Sequence, residues 1–226
     1  MKHVANILLL VAIVVLGYLC VMSILTPIHF DEQRAAREKV VINKLIDIRK
    51  VEVEFKNQNG HYTTSIDSLV DFIHNGKVPQ VFKKGVLTDE QMANGLTEQK
   101  AIRIVKSGNQ KEIIANGLQD FRRDTSFVSV FEHLFADRTI EEFDTLGNIP
   151  FSNGQLFEIE AVMHNNATTG VIVPLFQARA HYNTYLGDLD KQQLINLIDK
   201  TEQLFKFPGL QVGSVDEPNN NAGNWE

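Results

Sequence analysis

The chain opens with an almost uninterrupted apolar stretch that begins at Val4 and ends at Leu25, with Asn6 as its one serious polar interruption. About 20 consecutive apolar residues are enough to cross the hydrocarbon core of a bilayer. Inside lipid, each backbone N–H and C=O group must find its partner within the segment, which favours a helix. The pattern therefore predicts a transmembrane helix, and we expect residues 1–27 to form a membrane anchor.

Two cleavable alternatives fit this apolar stretch less well. A secretory signal peptide has a shorter apolar core and a small-residue cleavage site, whereas residues 21–23 read Val-Met-Ser and apolar residues continue beyond them. A lipoprotein signal needs a small residue before its cysteine, but Leu19 precedes Cys20. We therefore expect the anchor to remain uncleaved in the mature protein.

A different pattern follows the anchor, in residues 28–62. Apolar positions recur at intervals of three and four, which is typical of one face of an amphipathic helix that packs against a body. The positions on that face are Val41, Leu45, Ile48, Val51 or Glu52, and Phe55. Pro27 bends a helix without necessarily ending it, so the two stretches predict one continuous helix about 80 Å long. Gly60 should end it, because glycine adopts the left-handed conformation that closes helices.

The remaining chain alternates between strand-like and helix-like patterns. Alternating apolar positions favour strands, two of them paired as a hairpin across a turn-rich link at residues 165–170, and three- and four-residue spacing favours helices. The predicted strands lie within residues 77–87, 124–135, 155–164, 170–182 and 210–215; the predicted helices are residues 66–75, 88–118 and 190–205, with a strand at 101–105 as an alternative. The sequence thus predicts an α+β protein whose long helix packs on the mainly antiparallel sheet of a globular body at residues 63–217.

A short signature closes the long helix. It reads aromatic-Lys-x-x-Asn-Gly-x-Tyr and, with the proline near the end of the apolar stretch, comprises Pro27, Phe55, Lys56, Asn59, Gly60 and Tyr62. In this respect the first third of the chain resembles type IV pilins and, more closely, the pseudopilins of type II secretion systems. The resemblance implies a pilin-like fold, a bacterial inner-membrane location, an extracytoplasmic body, and partners among other subunits of an envelope assembly.

The chain departs from that family near its start. Prepilins carry a Gly-Phe processing site followed by a glutamate, whereas residues 4–8 read Val-Ala-Asn-Ile-Leu and the apolar stretch contains no carboxylate. In the family, this glutamate pairs with the amino terminus of the neighbouring subunit during polymerisation. The family's residues for processing and filament assembly therefore cannot be carried over to this chain.

Charge gives two further indications. The formal net charge of −6 argues against nucleic acid as a partner, since nucleic-acid binding needs a basic surface. Lys2 and the amino terminus precede the apolar stretch, and Arg34, Arg37, Lys39 and Lys44 follow it, so the positive-inside rule by itself favours a cytoplasmic body. A long domain can translocate despite such charge, and we follow the resemblance in expecting the body outside the cytoplasm.

Candidate chemistry is sparse. The common metalloprotease, serine-hydrolase and phosphate-loop motifs do not occur, and Cys20 is the only cysteine, which excludes an internal disulfide and a cysteine-based metal site. Asp188 and Asp190 are weak candidates for Ca²⁺, which pseudopilins often bind in a late loop. The alternative is that Asp190 caps the following helix while Asp188 favours its positive end. No catalytic or cofactor-binding residues are predicted.

The last residues of the chain, 218–226, have the polar composition of a mobile tail. Trp225, the only tryptophan, argues for order, because burying an indole stabilises a fold and leaving it in water does not. We expect Trp225 to pack on the protein's own body near the strand at residues 210–215. A pocket on a partner is the alternative, since tryptophan is common at interface hot spots.

Two classes of function are compatible with these features. The first is a pseudopilin-like structural or scaffold subunit of a bacterial secretion or pilus-like assembly, without enzymatic activity. The second is a membrane-tethered extracytoplasmic binding or sensing domain. A tethered enzyme is less favoured, because no nucleophile–base pair or carboxylate constellation stands out in the sequence.

Overall fold

The computed structural model describes residues 2–165 and 170–226. The elements in chain order are α1 (Lys2–Asn59), α2 (Ile66–Asn75), β1 (Lys77–Lys84), α3 (Asp89–Ala93), α4 (Glu98–Ser107), α5 (Gln110–Ala115), β2 (Arg122–Ser129), α6 (Val130–Phe135), a 3-10 turn (Ile140–Phe143), β3 (Glu158–Asn165), β4 (Ile172–His181), α7 (Tyr182–Leu186), α8 (Lys191–Gln203) and β5 (Gly209–Gly213). They form two compact units, the first comprising Met1–Phe72 and Thr139–Glu226 and the second Ile73–Arg138. The fold is α+β, as predicted, and the body predicted at residues 63–217 contains the whole second unit and part of the first.

The helix α1 is the longest element of the protein. It runs unbroken for 58 residues with Pro27 inside it, which corresponds to about 87 Å at 1.5 Å per residue. It ends at Asn59, and Gly60 follows with a φ of 80°, a left-handed conformation that costs glycine little. The prediction of one continuous helix closed by Gly60 is therefore confirmed. By length and composition, its apolar part could cross a membrane.

The core of the first unit lies between α1 and a three-stranded antiparallel sheet in the order β3-β4-β5. The central strand β4 pairs with all of β3 through residues 172–179 and with β5 at its carboxyl end. On α1, Val41, Leu45, Ile48 and Val51 are fully buried. Their three- and four-residue spacing puts them on one face of the helix, and β4 and β5 are the strands that pack next to α1.

The second unit combines a two-stranded antiparallel sheet with short helices. β1 pairs with β2 so that Lys77 lies opposite Ser129 and Lys84 opposite Arg122. A small core gathers five buried residues from α4, α5 and the loops beside them, namely Leu96, Ala101, Ile113, Leu118 and Phe121. The helical prediction for residues 88–118 is confirmed as α3, α4 and α5. The strand alternative at residues 101–105 is wrong, because Thr97 caps a helix there by accepting a hydrogen bond from the N–H of Lys100.

Two predicted strand regions differ in detail from the observed ones. The hairpin predicted at residues 155–182 is formed by β3 and β4, while residues 166–169 of its link lie outside the described part of the chain. The stretch predicted as a strand at 124–135 is β2 followed by α6. The change to helix occurs at Ser129, whose hydroxyl accepts a hydrogen bond from the N–H of Glu132 at 3.0 Å.

Candidate functional site at the helix–tail junction

The signature at the end of α1 forms an aromatic turn. The ring of Phe55 lies edge-to-face against Phe72 of α2 and against His61, with centroids 5.2 and 5.9 Å apart. Phe55 is half-buried, and the aromatic rings that it contacts belong to α2 and to the turn. The reason is the left-handed Gly60, which lets the chain reverse and brings α2 onto the end of α1. The side chain of Asn59 closes the helix by donating a hydrogen bond to the carbonyl of Phe55 at 3.0 Å.

Tyr62, the last residue of the signature, joins the helix end to the sheet and to the tail. Its ring is buried and lies 4.7 Å, centroid to centroid, from Phe176 of β4. The ammonium of Lys56 lies 5.6 Å from the same ring, within the range of a cation–π contact. The hydroxyl of Tyr62 accepts a hydrogen bond of 3.0 Å from the side-chain amide of Asn221.

The tail, residues 218–226, follows the outer edge of β5. The N–H of Gly213 donates to the carbonyl of Ala222 at 3.0 Å, and the N–H of Asn224 donates to the carbonyl of Gln211 at 2.9 Å. Trp225 is half-buried and covers Gly223, where an added Cβ would lie 2.4 Å from the indole ring. The structure thus places Trp225 on the protein's own body beside β5, the position expected from the sequence.

Arg49 of α1 holds this tail on the helix. Its guanidinium donates to the carboxylate of Glu226 at 2.7 Å and to the backbone carbonyl of Asn221 at 3.1 Å. The hydrogen bond from Arg49 lowers the pKa of the Glu226 carboxyl below its ordinary value. The junction therefore combines three segments that are distant in sequence: the carboxyl-terminal part of α1, the turn with Tyr62, and the tail.

A carboxyl group lies buried in the same part of α1. Glu52 is fully buried, and so is its neighbour Val51. The sequence predicted either Val51 or Glu52 on the buried face of α1, and the structure buries both. One oxygen, Oε2, accepts a hydrogen bond from the N–H of Thr63 at 3.2 Å, whereas Oε1 has no partner within the described residues. Burial raises the pKa of Glu52 to about 8, partly offset by the Thr63 hydrogen bond. Glu52 is therefore mostly neutral at pH 7.

The two aspartates considered for Ca²⁺ both bind protein groups. The carboxylate of Asp188 accepts hydrogen bonds from both terminal nitrogens of Arg37, the Nη2–Oδ2 distance being 2.7 Å, and these bonds lower the pKa of Asp188. Asp190 caps α8, since its Oδ1 accepts from the N–H of Gln193 at 2.9 Å. Within residues 2–165 and 170–226, no group of three or more His, Cys, Asp and Glu side chains is placed to hold a metal ion. The two aspartates instead attach α8 to α1 and start α8.

The interactions of the junction are those of attachment between segments. Sequence reasoning identified Tyr62 and Trp225 but missed Arg37, Arg49 and Asn221. Arg49 lies 172 residues from Asn221 and Arg37 lies 151 residues from Asp188, so no local pattern could have revealed these pairs. Comparison of the chain with protein-family models, with curated proteins and with solved structures finds no match.

Proposed function

We propose that the protein is a single-pass, membrane-anchored structural or scaffold subunit of a bacterial envelope assembly, built in the manner of a pseudopilin and without enzymatic activity. In this proposal the apolar half of α1 lies in the inner membrane and the body lies outside the cytoplasm. Its partners are other subunits of the same assembly, as the resemblance of the signature implies.

The observation that carries the proposal is the division of α1 into two environments. Leu10, Leu16 and Ile24 are exposed, whereas Leu45 and Ile48 of the same helix are completely buried by the body. A contiguous apolar surface of this length has to be covered by something other than water, and a bilayer covers a single helix on all sides. A long, fixed rod between membrane and body is the feature that a scaffold subunit needs.

Two attachments support this role. Arg37 binds Asp188 of the body and Arg49 binds Glu226 of the tail, so the first unit is tied to α1 at two levels separated by 12 residues, or about 18 Å along the helix. Because the two ties lie at different heights, a rotation or shift of the body along α1 would break at least one of them. A force or displacement at the anchor is thereby passed to the rest of the first unit.

Site-specific photocrosslinking in native membranes tests the proposal. A photoreactive residue at Leu16 should form adducts with membrane-embedded partners, and one at Val40, whose side chain is exposed, should form adducts with partner bodies. Mass spectrometry identifies the adducts, and unirradiated membranes are the control. Recovery of secretion or pilus-like components supports the proposal. Adducts with lipid or with unrelated abundant proteins alone at both positions would refute it.

A tethered binding or sensing domain is the second candidate, and a cleft within the second unit favours it. The cleft has a volume of about 530 Å³ and its lining includes the polar side chains of Gln91, Asn94 and Lys100, a size compatible with small-molecule sites. Under this alternative, a screen of small polar ligands against the full chain should find one that raises its melting temperature. Lys100→Ala should then abolish that shift, and envelope partners should be missing from the crosslinks.

A further inference from the structure

One loop of the first unit presents an aromatic side chain entirely to the outside. The loop is residues 204–208, between α8 and β5, and Phe205 within it is 99% exposed. Leu204 beside it is also exposed. Single exposed apolar residues are common on proteins, so this exposure has to be weighed together with the backbone that produces it.

The backbone at Phe205 is one that phenylalanine rarely adopts. α8 ends in a Schellman motif, in which the N–H of Lys206 donates to the carbonyl of Thr201 at 3.2 Å and the N–H of Phe205 donates to that of Glu202 at 2.8 Å. Phe205 occupies the left-handed position of this motif with a φ of 56°, where glycine is the usual residue. A bulky aromatic residue there is unfavourable both for the backbone and for solvation, and such outliers concentrate at functional positions.

Basic side chains surround the loop. A groove of about 600 Å³ runs beside it, and its lining includes Arg34, Tyr182, Lys200, Lys206 and Phe207. Arg34 is bound to Glu38 at 2.9 Å. Within the described part of the chain, Lys200 and Lys206 form no ion pair, so the groove beside the loop carries two ammonium groups with free donors.

The sheet shows at which end of the body this loop lies. β5 begins at Gly209 opposite His181 and ends at Gly213 opposite Gln177. Gln177 follows Phe176, which packs on Tyr62 at the carboxyl end of α1. The loop at 204–208 precedes Gly209, so it lies at the opposite end of the sheet. That end is the one nearest the apolar stretch of α1.

The height of this end along α1 follows from two residues. Arg34, whose guanidinium lies 5.9 Å from the ring of Tyr182, follows Leu25 by nine residues, or about 13 Å of helix. Phe30, only 5% exposed, is already covered by the body about 8 Å beyond Leu25. The polar headgroup layer of a bilayer extends roughly 5 to 8 Å beyond the hydrocarbon core, so the end of the first unit at Phe30 lies at the outer edge of that layer.

We propose that the loop at residues 204–208 is a second membrane contact, in which Phe205 enters the interfacial layer of the bilayer and Lys200 and Lys206 bind lipid phosphates. Phenylalanine is among the apolar residues that interfacial segments bury at the boundary between headgroups and acyl chains, and lysine places its ammonium at the interface while its stem lies in apolar surroundings. Glu202 belongs to the same turn, and its negative charge offsets part of the positive charge of the lysines. We therefore expect the lysines to bind the phosphate group that neutral and anionic phospholipids share, so that an anionic lipid is not required. The inference rests on the proposed membrane anchoring of α1.

Tryptophan fluorescence of the full chain in lipid nanodiscs tests this contact. The variant carries Phe205→Trp together with Trp225→Phe, so that the only indole stands at position 205. In phosphatidylcholine discs we expect a blue-shifted emission, and in discs whose acyl chains are brominated near the headgroup we expect most of the emission to be quenched. A second variant adds Lys200→Glu and Lys206→Glu, which removes the groups proposed to bind phosphate. In the brominated discs its indole should be quenched much less than that of the first variant.

A matched control places the indole far from the bilayer. Leu156 is exposed and forms an antiparallel β-bridge with Asn148. Asn148 lies three residues after Thr145, whose carbonyl accepts a hydrogen bond of 2.6 Å from the ammonium of Lys44 of α1. Lys44 is about 28 Å beyond Leu25 along the helix. Leu156→Trp in the Trp225→Phe background should therefore give the same emission in brominated and unbrominated discs.

Two failures can be told apart. In the first, the chain stays in the membrane after carbonate extraction, but the indole at position 205 emits as in water and is not quenched by brominated lipid. This result refutes the second contact and leaves the proposed anchoring intact. In the second, carbonate releases the chain, which refutes the proposed anchoring itself. Should the Trp225→Phe background fail to fold, a spin label on Phe205→Cys with Cys20→Ser, in the otherwise native chain, measures the depth of the same loop. A label at interfacial depth then supports the second contact, and a label in water refutes it.

Discussion

The two halves of α1 share a backbone conformation and differ in everything around it. The half that ends near Leu25 exposes large apolar side chains on all sides, whereas the half that contains Val41, Leu45 and Ile48 buries one face completely and exposes charged residues elsewhere. Pro27, near the border, does not interrupt the helix. The same secondary structure therefore stands in two environments: one half is exposed and apolar enough to cross a membrane, and the other packs against a protein core and faces water.

Because their surroundings differ, the two halves of α1 depend on different interactions. In a bilayer, the apolar half needs only its uniform hydrophobicity, because lipid contacts every face equally and no residue has a particular partner. In the body half, each buried side chain has fixed neighbours, and its burial contributes about 1.5 to 3 kcal/mol of hydrophobic stabilisation. The apolar half should thus tolerate any apolar substitution, while the body half should be sensitive to shape as well as to polarity.

The sharpest way to separate the halves is to place the same charge in each. Ile48→Arg should unfold the body, because an unpaired charge in the core costs several kcal/mol out of a total stability of about 5 to 15 kcal/mol. Leu16→Arg should leave the body folded and weaken membrane insertion, at a cost of about 2.5 to 3.5 kcal/mol. Circular dichroism reports folding, and carbonate extraction reports insertion. Equal effects of both substitutions on either readout would contradict the division.

The buried carboxyl group makes the body half sensitive to pH. Because the pKa of Glu52 is about 8 in the folded protein and 4.5 in the unfolded chain, folding favours its neutral form. Its ionisation therefore leaves stability unaffected below pH 4.5 and lowers it progressively as the pH rises from 4.5 to 8. Glu52→Gln should raise the free energy of unfolding at pH 9 by about 3 to 5 kcal/mol and change it little at pH 4.5. Chemical denaturation at the two pH values measures both.

An exposed glutamate on the same helix provides the control for this pH effect. Glu32 lies beyond the apolar stretch with an exposed side chain, and Glu32→Gln should leave the difference in stability between the two pH values as it is in the unmodified chain. If Glu52→Gln changes stability equally at both pH values, packing rather than ionisation explains the effect.

The aromatic turn at the end of α1 should give an intermediate effect. Phe55→Ala should lower the free energy of unfolding by about 1 to 3 kcal/mol, less than the 3 to 5 kcal/mol typical of a fully buried phenylalanine, since Phe55 is half-buried and loses chiefly its edge contacts with Phe72 and His61. Thermal denaturation of the full chain in detergent measures the change. Phe127→Ala, at an exposed position of β2, is the matched control and should have little effect.

The smallest expected effect concerns one hydroxyl at the junction. Tyr62→Phe removes the acceptor of the hydrogen bond from Asn221 and should cost about 1 kcal/mol. Trp225 should report this locally, with emission shifted to the red and increased access of a soluble quencher. Tyr18→Phe, in the exposed apolar half of α1, removes the same group without a partner in the body. An unchanged Trp225 signal in Tyr62→Phe would show that the tail is held independently of Tyr62.

The elements that follow from local chemistry were predictable. The continuous α1, its end at Gly60, the helix at residues 66–75 and the cap at Asp190 depend on hydrophobic spacing and on residues adjacent in sequence. The docking of Trp225 was also predictable in kind, because a lone indole in a polar tail has a strong reason to leave water. Where two interpretations of a pattern remained open, as at residues 101–105, the capping Thr97 decided in favour of the helix.

By itself, the sequence determined that the protein has an apolar helix long enough for a membrane, an amphipathic continuation of that helix, and an α+β body. Only the tertiary structure decided that Arg37 binds Asp188, that Arg49 and Asn221 hold the tail, and that Phe205 stands exposed in a left-handed turn. It also decided that Glu52 is buried with one oxygen unpartnered among the described residues. The physical reason is range. Helix and strand preferences act over a few residues, whereas ion pairs, burial and exposure depend on which distant segments the fold brings together, and no local pattern encodes those distances.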